Sequence, residues 1–128
     1  MARSTKTGYN LMEACRPEMP PEDGLAERKN DGKIPLSFVL EANHALNGLA
    51  KVLEFGAAKY SRGNWLKGRP YNDTVDSLAR HLVAFMAGEN DDAESGLPHV
   101  DHILCNALFL AQHYRMIGLD DRARKNND

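Results

Sequence analysis

At 128 residues, with sixteen Lys and Arg, eighteen Asp and Glu and a formal charge of −2, the chain is sized for one domain with a modest core. That balance excludes a protein that grips nucleic acid polymers by neutralising phosphates; the one basic run is the tail Arg122, Arg124, Lys125. Two distant cysteines exclude a disulfide framework or a Cys-rich zinc site, and no stretch is long and apolar enough to span a membrane, so a cytoplasmic location is expected.

In chain order, residues 1–32 read as a polar arm punctuated by Met19-Pro20-Pro21, Asp23-Gly24 and Asp31-Gly32. Such a segment is either disordered or wraps a partner subunit. The helical domain is expected over 33–118, and a polar tail over 119–128. Lys33-Ile34-Pro35-Leu36 begins a short extended or turn entry that runs to Leu40. Leu46, Leu49, Leu53, Ala57 and Tyr60 recur every three or four residues, which predicts a helix over about 41–60. The glycines and proline of 61–70 predict a loop. A second helix should start with Asn72 or Asp73 as its cap and bury Val75, Leu78, Leu82, Phe85 and Met86. Gly88 should end or bend it.

A third helix should follow a cap near Ser95, carry Pro98 in its first turn and run to about Ile117, with Gly118 in the left-handed position after it. Its apolar side is Val100, Ile103, Leu104, Ala107, Leu110, Ala111 and Tyr114. No strand signal is present. Three helices with short loops predict an all-α fold, a small antiparallel bundle.

The third helix also carries His99, His102, Asn106 and His113 on one face. Residues three apart have Cβ atoms about 5–6 Å apart, close enough for His99 and His102 to share a metal ion or a metal-bound substrate. They could equally be polar residues on a solvent face. On the second helix, His81, Phe85, Glu89 and Asp92 share a sector if the helix continues past Gly88. His81, Glu89 and Asp92 would then face His99 and His102 across a hairpin, as one metal site. The other reading is a solvated acidic loop, which suits Asp91 better than Glu89. Carboxylates favour Mg²⁺. Histidines favour Zn²⁺, Mn²⁺ or Fe. The mixture leaves the metal open.

Several stretches together resemble a known family: Lys33-Ile34-Pro35-Leu36, Glu54 to Tyr60, Asn64-Trp65, Arg80-His81, Gly88-Glu89, and Asp92 to His99 with His102 and Asn106. They are similar to the phage-associated dATP/dGTP diphosphohydrolase N-terminal domain, a relative of the MazG-like pyrophosphohydrolases, over about residues 29–118. The resemblance implies an all-α nucleoside triphosphate pyrophosphatase fold. It implies hydrolysis of a purine deoxynucleoside triphosphate to the monophosphate and pyrophosphate, Mg²⁺ or Mn²⁺ as cofactor, and a homodimer or homotetramer. The chain departs from MazG-like enzymes in one respect: His99 and His102 stand where the third helix would carry carboxylates.

For such a substrate, Glu89 or Asp92 would be the catalytic carboxylate that accepts a proton from water. Lys33, Lys59, Arg62 and Arg80 are candidate phosphate partners; Arg80 could instead pair with Asp76. Tyr60, Asn64, Trp65 and Asn106 are candidates for holding the nucleotide. Trp65 either stacks on the base or caps the core. Two other classes stand beside the enzyme: a module that binds a nucleotide or signalling molecule without cutting it, and a zinc-stabilised structural domain.

Overall fold

The computed structural model describes residues 17–116 and 118–123. The chain divides into two compact units, Met1–Ile34 and Pro35–Asp128. In the first, the described residues form a single 3-10 turn at Glu22–Gly24, closed by the Gly24 N–H on the Pro21 carbonyl at 2.8 Å. Residues 1–16, including Cys15, lie outside the described residues, so the reading of that part of the arm does too.

The second unit is all-α. Its helices are α1 (Asn43–Lys59), α2 (Tyr71–Met86) and α3 (His99–Tyr114). Among the described residues there is no strand, only an isolated antiparallel bridge between Asp91 and Pro98. The first helix starts later than the apolar spacing predicts, because Leu36–Ala42 winds as a 3-10 segment before it. The Pro35 carbonyl accepts the Phe38 N–H at 3.0 Å and starts that i→i+3 pattern. The expected cap at Asn72 or Asp73 is not used: α2 begins at Tyr71, with Pro70 before it and no capping side chain from the preceding residue. The chain after α3 does that work. Leu119 O accepts the Tyr71 N–H at 3.1 Å, and the Asp121 carboxylate accepts the Asn72 N–H at 3.0 Å. An acid at this end also complements the helix dipole.

Helix α3 packs along α2 and, on another side, along α1. Gly48 sets the α1–α3 approach, since a Cβ there would overlap the Asp101 carboxylate. Gly48 and Val52 are buried, with Leu46, Leu49 and Leu53 half-buried beside them; Tyr60 is exposed.

Burial in the α2–α3 hairpin reverses the expected one. The inner side of α2 is Tyr71, Thr74, Ser77, Leu78 and His81, while Val75, Leu82, Phe85 and Met86 are exposed. The inner side of α3 is His99, His102, Cys105, Asn106 and His113, while Val100, Leu104, Ala107 and Tyr114 face outward. Two features favour this. Small Thr74 and Ser77 admit a close partner, and the polar stripe finds hydrogen bonds inside the unit for all but two of its buried nitrogens, His99 Nε2 and His113 Nδ1, which offsets most of the cost of its burial. The outer apolar stripes are displaced from the inner ones in the same rotational sense on each helix. In an antiparallel pair they therefore emerge on one side of the hairpin.

Candidate functional site

The acids reach the histidines from a turn and not from a continued helix. Gly88 takes φ +94°, a region open to glycine, and the Glu89 N–H bonds back to the Ala84 carbonyl at 3.0 Å. The helix therefore stops at Met86. The turn is then closed by three bonds of 2.8 Å: Asp92 N–H to Leu97 O, Gly96 N–H to Asp92 O, and His99 N–H to Asn90 O. Ser95 fixes the Asp92 side chain. Its backbone N–H and its hydroxyl both donate to Asp92 Oδ2, at 2.9 and 2.8 Å.

Three imidazoles meet this carboxylate. His81 Nδ1 and His99 Nδ1 lie 2.9 Å apart. The His81 and His102 rings stack with centroids 4.4 Å apart and 3° between planes. His102 Nε2 is 2.7 Å from Ser95 Oγ and 3.7 Å from Asp92 Oδ2. His81, Asp92 and His99 each offer a ligand atom, all within 4.8 Å of one another. His99 is 4% exposed, and its Nε2 has no hydrogen-bond partner; Glu89 Oε1 lies 3.4 Å away.

Burial, then the charge of His102, pushes the His81 pKa down against the pull of Asp92. Burial does the same to His102, again opposed by Asp92. For Asp92, burial alone would raise the pKa, but the Ser95 bonds and the nearby histidines outweigh it and lower it. At neutral pH the cluster thus pairs uncharged His81 and His102 with a carboxylate, the ionisation state that metal ligation needs. The two-nitrogen, one-oxygen donor set fits a divalent cation.

Beside the cluster lies a pocket of about 720 Å³, with His81, Asp92, His102 and Asn106 on its wall. That volume suits a small organic ligand. Lys59, Tyr60, Arg62, Asn64 and Trp65 also line it. Lys59 Nζ contacts Glu94 Oε1 at 2.6 Å, and this bond and charge raise the Lys59 pKa. Trp65 stacks on Phe109 with centroids 4.9 Å apart, and its carbonyl accepts from Nε2 of fully buried His113 at 2.7 Å. The Asn106 amide donates to the His102 carbonyl at 2.9 Å.

Most of the candidates that the sequence offers lie on this wall, and the fold brings them together. Four candidates are not among its lining, and one of them, His99, sits in the cluster described above. Lys33 belongs to the first unit. Arg80 lies outside the pocket wall, in a shallow depression with Asp76, Ala79 and Val83. The Glu89 carboxylate meets His99 and does not line the pocket. Ser95 reads as a helix cap in the sequence, and its part in orienting Asp92 is missed there. Thr74 and Ser77 are missed as pocket lining; their spacing of seven and four to His81, which puts all three on one helix face, is the available signal.

A family model described as dATP/dGTP diphosphohydrolase, N-terminal, matches residues 23–122. The chain belongs to this family. The match takes in all three helices and the acidic turn of this diphosphohydrolase N-terminal domain. A curated relative, the dATP/dGTP diphosphohydrolase of Salmonella phage PMBT28, is 31% identical over 81 residues. The aligned stretch covers 63% of this chain and 27% of that relative, so the chain spans about a quarter of the relative's length. No solved structure matches the chain. Among the described residues no helix is long and apolar enough to cross a membrane.

Proposed function

We propose that this domain hydrolyses a purine deoxynucleoside triphosphate, dGTP or dATP, to the monophosphate and pyrophosphate, with a divalent metal held at the histidine–carboxylate cluster. One observation carries the reading. His81 and Asp92 belong both to the metal-competent cluster and to the wall of a nucleotide-sized pocket that also presents Lys59 and Arg62. The name of the phage relative supports the substrate class.

When bound, the metal would neutralise the triphosphate and lower the pKa of a water. The chain's own groups do the rest. Asp92, held ionised by Ser95, accepts a proton from the attacking water. Lys59 exchanges its bond to Glu94 for a charge-assisted bond to phosphate. Trp65, already packed on Phe109, offers stacking surface for the base, with Asn64 nearby to read its edge. The working form is a homodimer or homotetramer, which would cover the outer apolar face of α2 and α3.

The test is turnover of dGTP and dATP with Mn²⁺ or Mg²⁺, following pyrophosphate release. Asp92→Asn should nearly abolish it, while Asp91→Asn should leave it close to wild type. Tight binding of dGTP with no cleavage under any divalent ion would reject hydrolysis and leave a nucleotide-binding module.

A further inference from the structure

The proposed reaction needs a divalent cation but leaves its chemical class open. Building on that proposed role of the site, we infer that the cluster is a histidine-rich transition-metal centre, of the class that takes Zn²⁺, Co²⁺, Mn²⁺ or Fe²⁺, with His81, His99 and Asp92 as ligands and with Glu89 and Ser95 orienting them.

The donor set favours such a metal over Mg²⁺. Mg²⁺ demands near-octahedral oxygen coordination and sheds its water reluctantly. Two of the three clustered donors here are imidazole nitrogens, which suit transition metals. The acids nearby do not restore an oxygen site: Asp92 supplies one carboxylate, and Glu89 faces the far nitrogen of His99.

The positions of the protons point the same way. The Nδ1 atoms of His81 and His99 touch at 2.9 Å, so one donates and the other accepts. His99 Nε2 is buried and faces Glu89 Oε1 at 3.4 Å. A bare lone pair there would confront a carboxylate, so Nε2 carries the proton. His99 Nδ1 is then the acceptor, with its lone pair aimed into the cluster. That is the tautomer of a metal ligand, with a carboxylate behind the ring, an arrangement that fixes the ring and raises its basicity. On the other side, the Ser95 hydroxyl spends its proton on Asp92 Oδ2 and so accepts from His102 Nε2. His102 is thereby tied to Ser95 and lies flat against His81 as a support. Glu89 and Ser95 are positioning residues in this scheme, one behind His99 and one behind Asp92.

The test is a titration of tag-free, chelator-stripped protein with Co²⁺, Zn²⁺ and Mg²⁺, without nucleotide, read by calorimetry and by the visible absorption of Co²⁺. One Co²⁺ per chain should bind with nitrogen-ligated spectra, and excess Mg²⁺ should not displace it. His81→Ala and His99→Ala should abolish binding; His99→Gln, which keeps the bulk, should do the same if His99→Ala does not fold. Glu89→Ala should weaken binding about 10–100-fold, and Glu89→Gln less, since it keeps an oxygen facing Nε2–H. Asp91→Asn should change nothing. Saturation by Mg²⁺ with loss of Co²⁺, or Co²⁺ binding indifferent to His81→Ala and His99→Gln, or wild-type affinity in Glu89→Ala would each overturn the inference. The two readings fail separately. Co²⁺ bound at these histidines without dGTP turnover defeats the hydrolase and keeps the centre; Mg²⁺-driven turnover without Co²⁺ or Zn²⁺ binding does the reverse.

Discussion

Replacing Leu104 by glutamate should separate the proposed oligomer into folded monomers. The outer face of the hairpin carries Val75, Leu82, Val83 and Met86 from α2, and Val100, Leu104 and Tyr114 from α3. Their exposure runs from 36% at Leu104 to 75% at Met86. Fully burying such a side chain is worth about 1.5–3 kcal/mol, so these partly exposed ones offer about 1 kcal/mol each. From two copies of the face this amounts to on the order of 14 kcal/mol, against association costs of about 4–15 kcal/mol. A micromolar complex needs a surplus of about 8 kcal/mol, which requires most of the face to be covered. A two-fold interface presents each substitution twice. An unpaired carboxylate at its centre is costly to desolvate, so Leu104→Glu should weaken association at least about a hundredfold. Exposed Gln112 lies on another side of α3, and Gln112→Glu is the control for added charge. Sedimentation velocity across the micromolar range, with circular dichroism to confirm helix content, reads the outcome. A wild type that stays monomeric, or a Leu104→Glu variant that associates like wild type, would refute the reasoning.

Three further outcomes are expected. Trp65→Ala should raise KM for dGTP by one to two orders of magnitude, from stacking worth about 1–3 kcal/mol; loss of its Phe109 contact should also lower Tm, and steady-state kinetics beside a melting curve separates the effects. Burial pushes the Cys105 thiol up to about 12, so in a Cys15→Ser background Ellman's reagent should react only after denaturation. The metal-free protein should lose stability as pH falls below about 6.5, because His81 and His102 bind protons more weakly folded than unfolded. Asp92, also lowered, should add a further loss only below about pH 4, and a Tm that rises on acidification from neutrality would contradict both shifts.

The fold class and much of the pocket are legible in the sequence because helical spacing survives without a structure. His99, His102, Asn106 and His113 share a face by arithmetic alone, and all four are buried in the hairpin. Which of two stripes on a helix turns inward is a different question. Periodicity gives the sector of each stripe, but its fate depends on what it meets. The apolar stripe would win in an isolated helix pair by transfer energy; here it loses to a polar stripe whose members find hydrogen bonds elsewhere in the unit. The acidic turn shows the same limit. Helical spacing puts Glu89 and Asp92 with the histidines only if α2 extends past Gly88, and the chain reaches that placement by leaving the helix. Ser95 is visible as a cap residue, but its bond to Asp92 depends on a loop closure that no local pattern announces.

The inverted burial ties assembly to the site. Among the described residues only Val52, Tyr71 and Cys105 are buried apolar side chains, little for a unit of this size. The same hairpin holds the histidine cluster on its inner side and the uncovered apolar face on its outer side. Covering the outer face therefore stabilises the arrangement that brings His81 to His99. If a second copy supplies the cover, unfolding is coupled to dissociation, and mass action makes Tm rise with protein concentration. Each tenfold increase adds about 1.4 kcal/mol per dimer, enough to move Tm by a few degrees in a chain of this size. Calorimetric scans over two decades of concentration should show that rise in wild type and not in Leu104→Glu, whose Tm should lie below wild type throughout. A wild-type Tm independent of concentration and equal to that of Leu104→Glu would mean that the hairpin holds its histidines together without a partner.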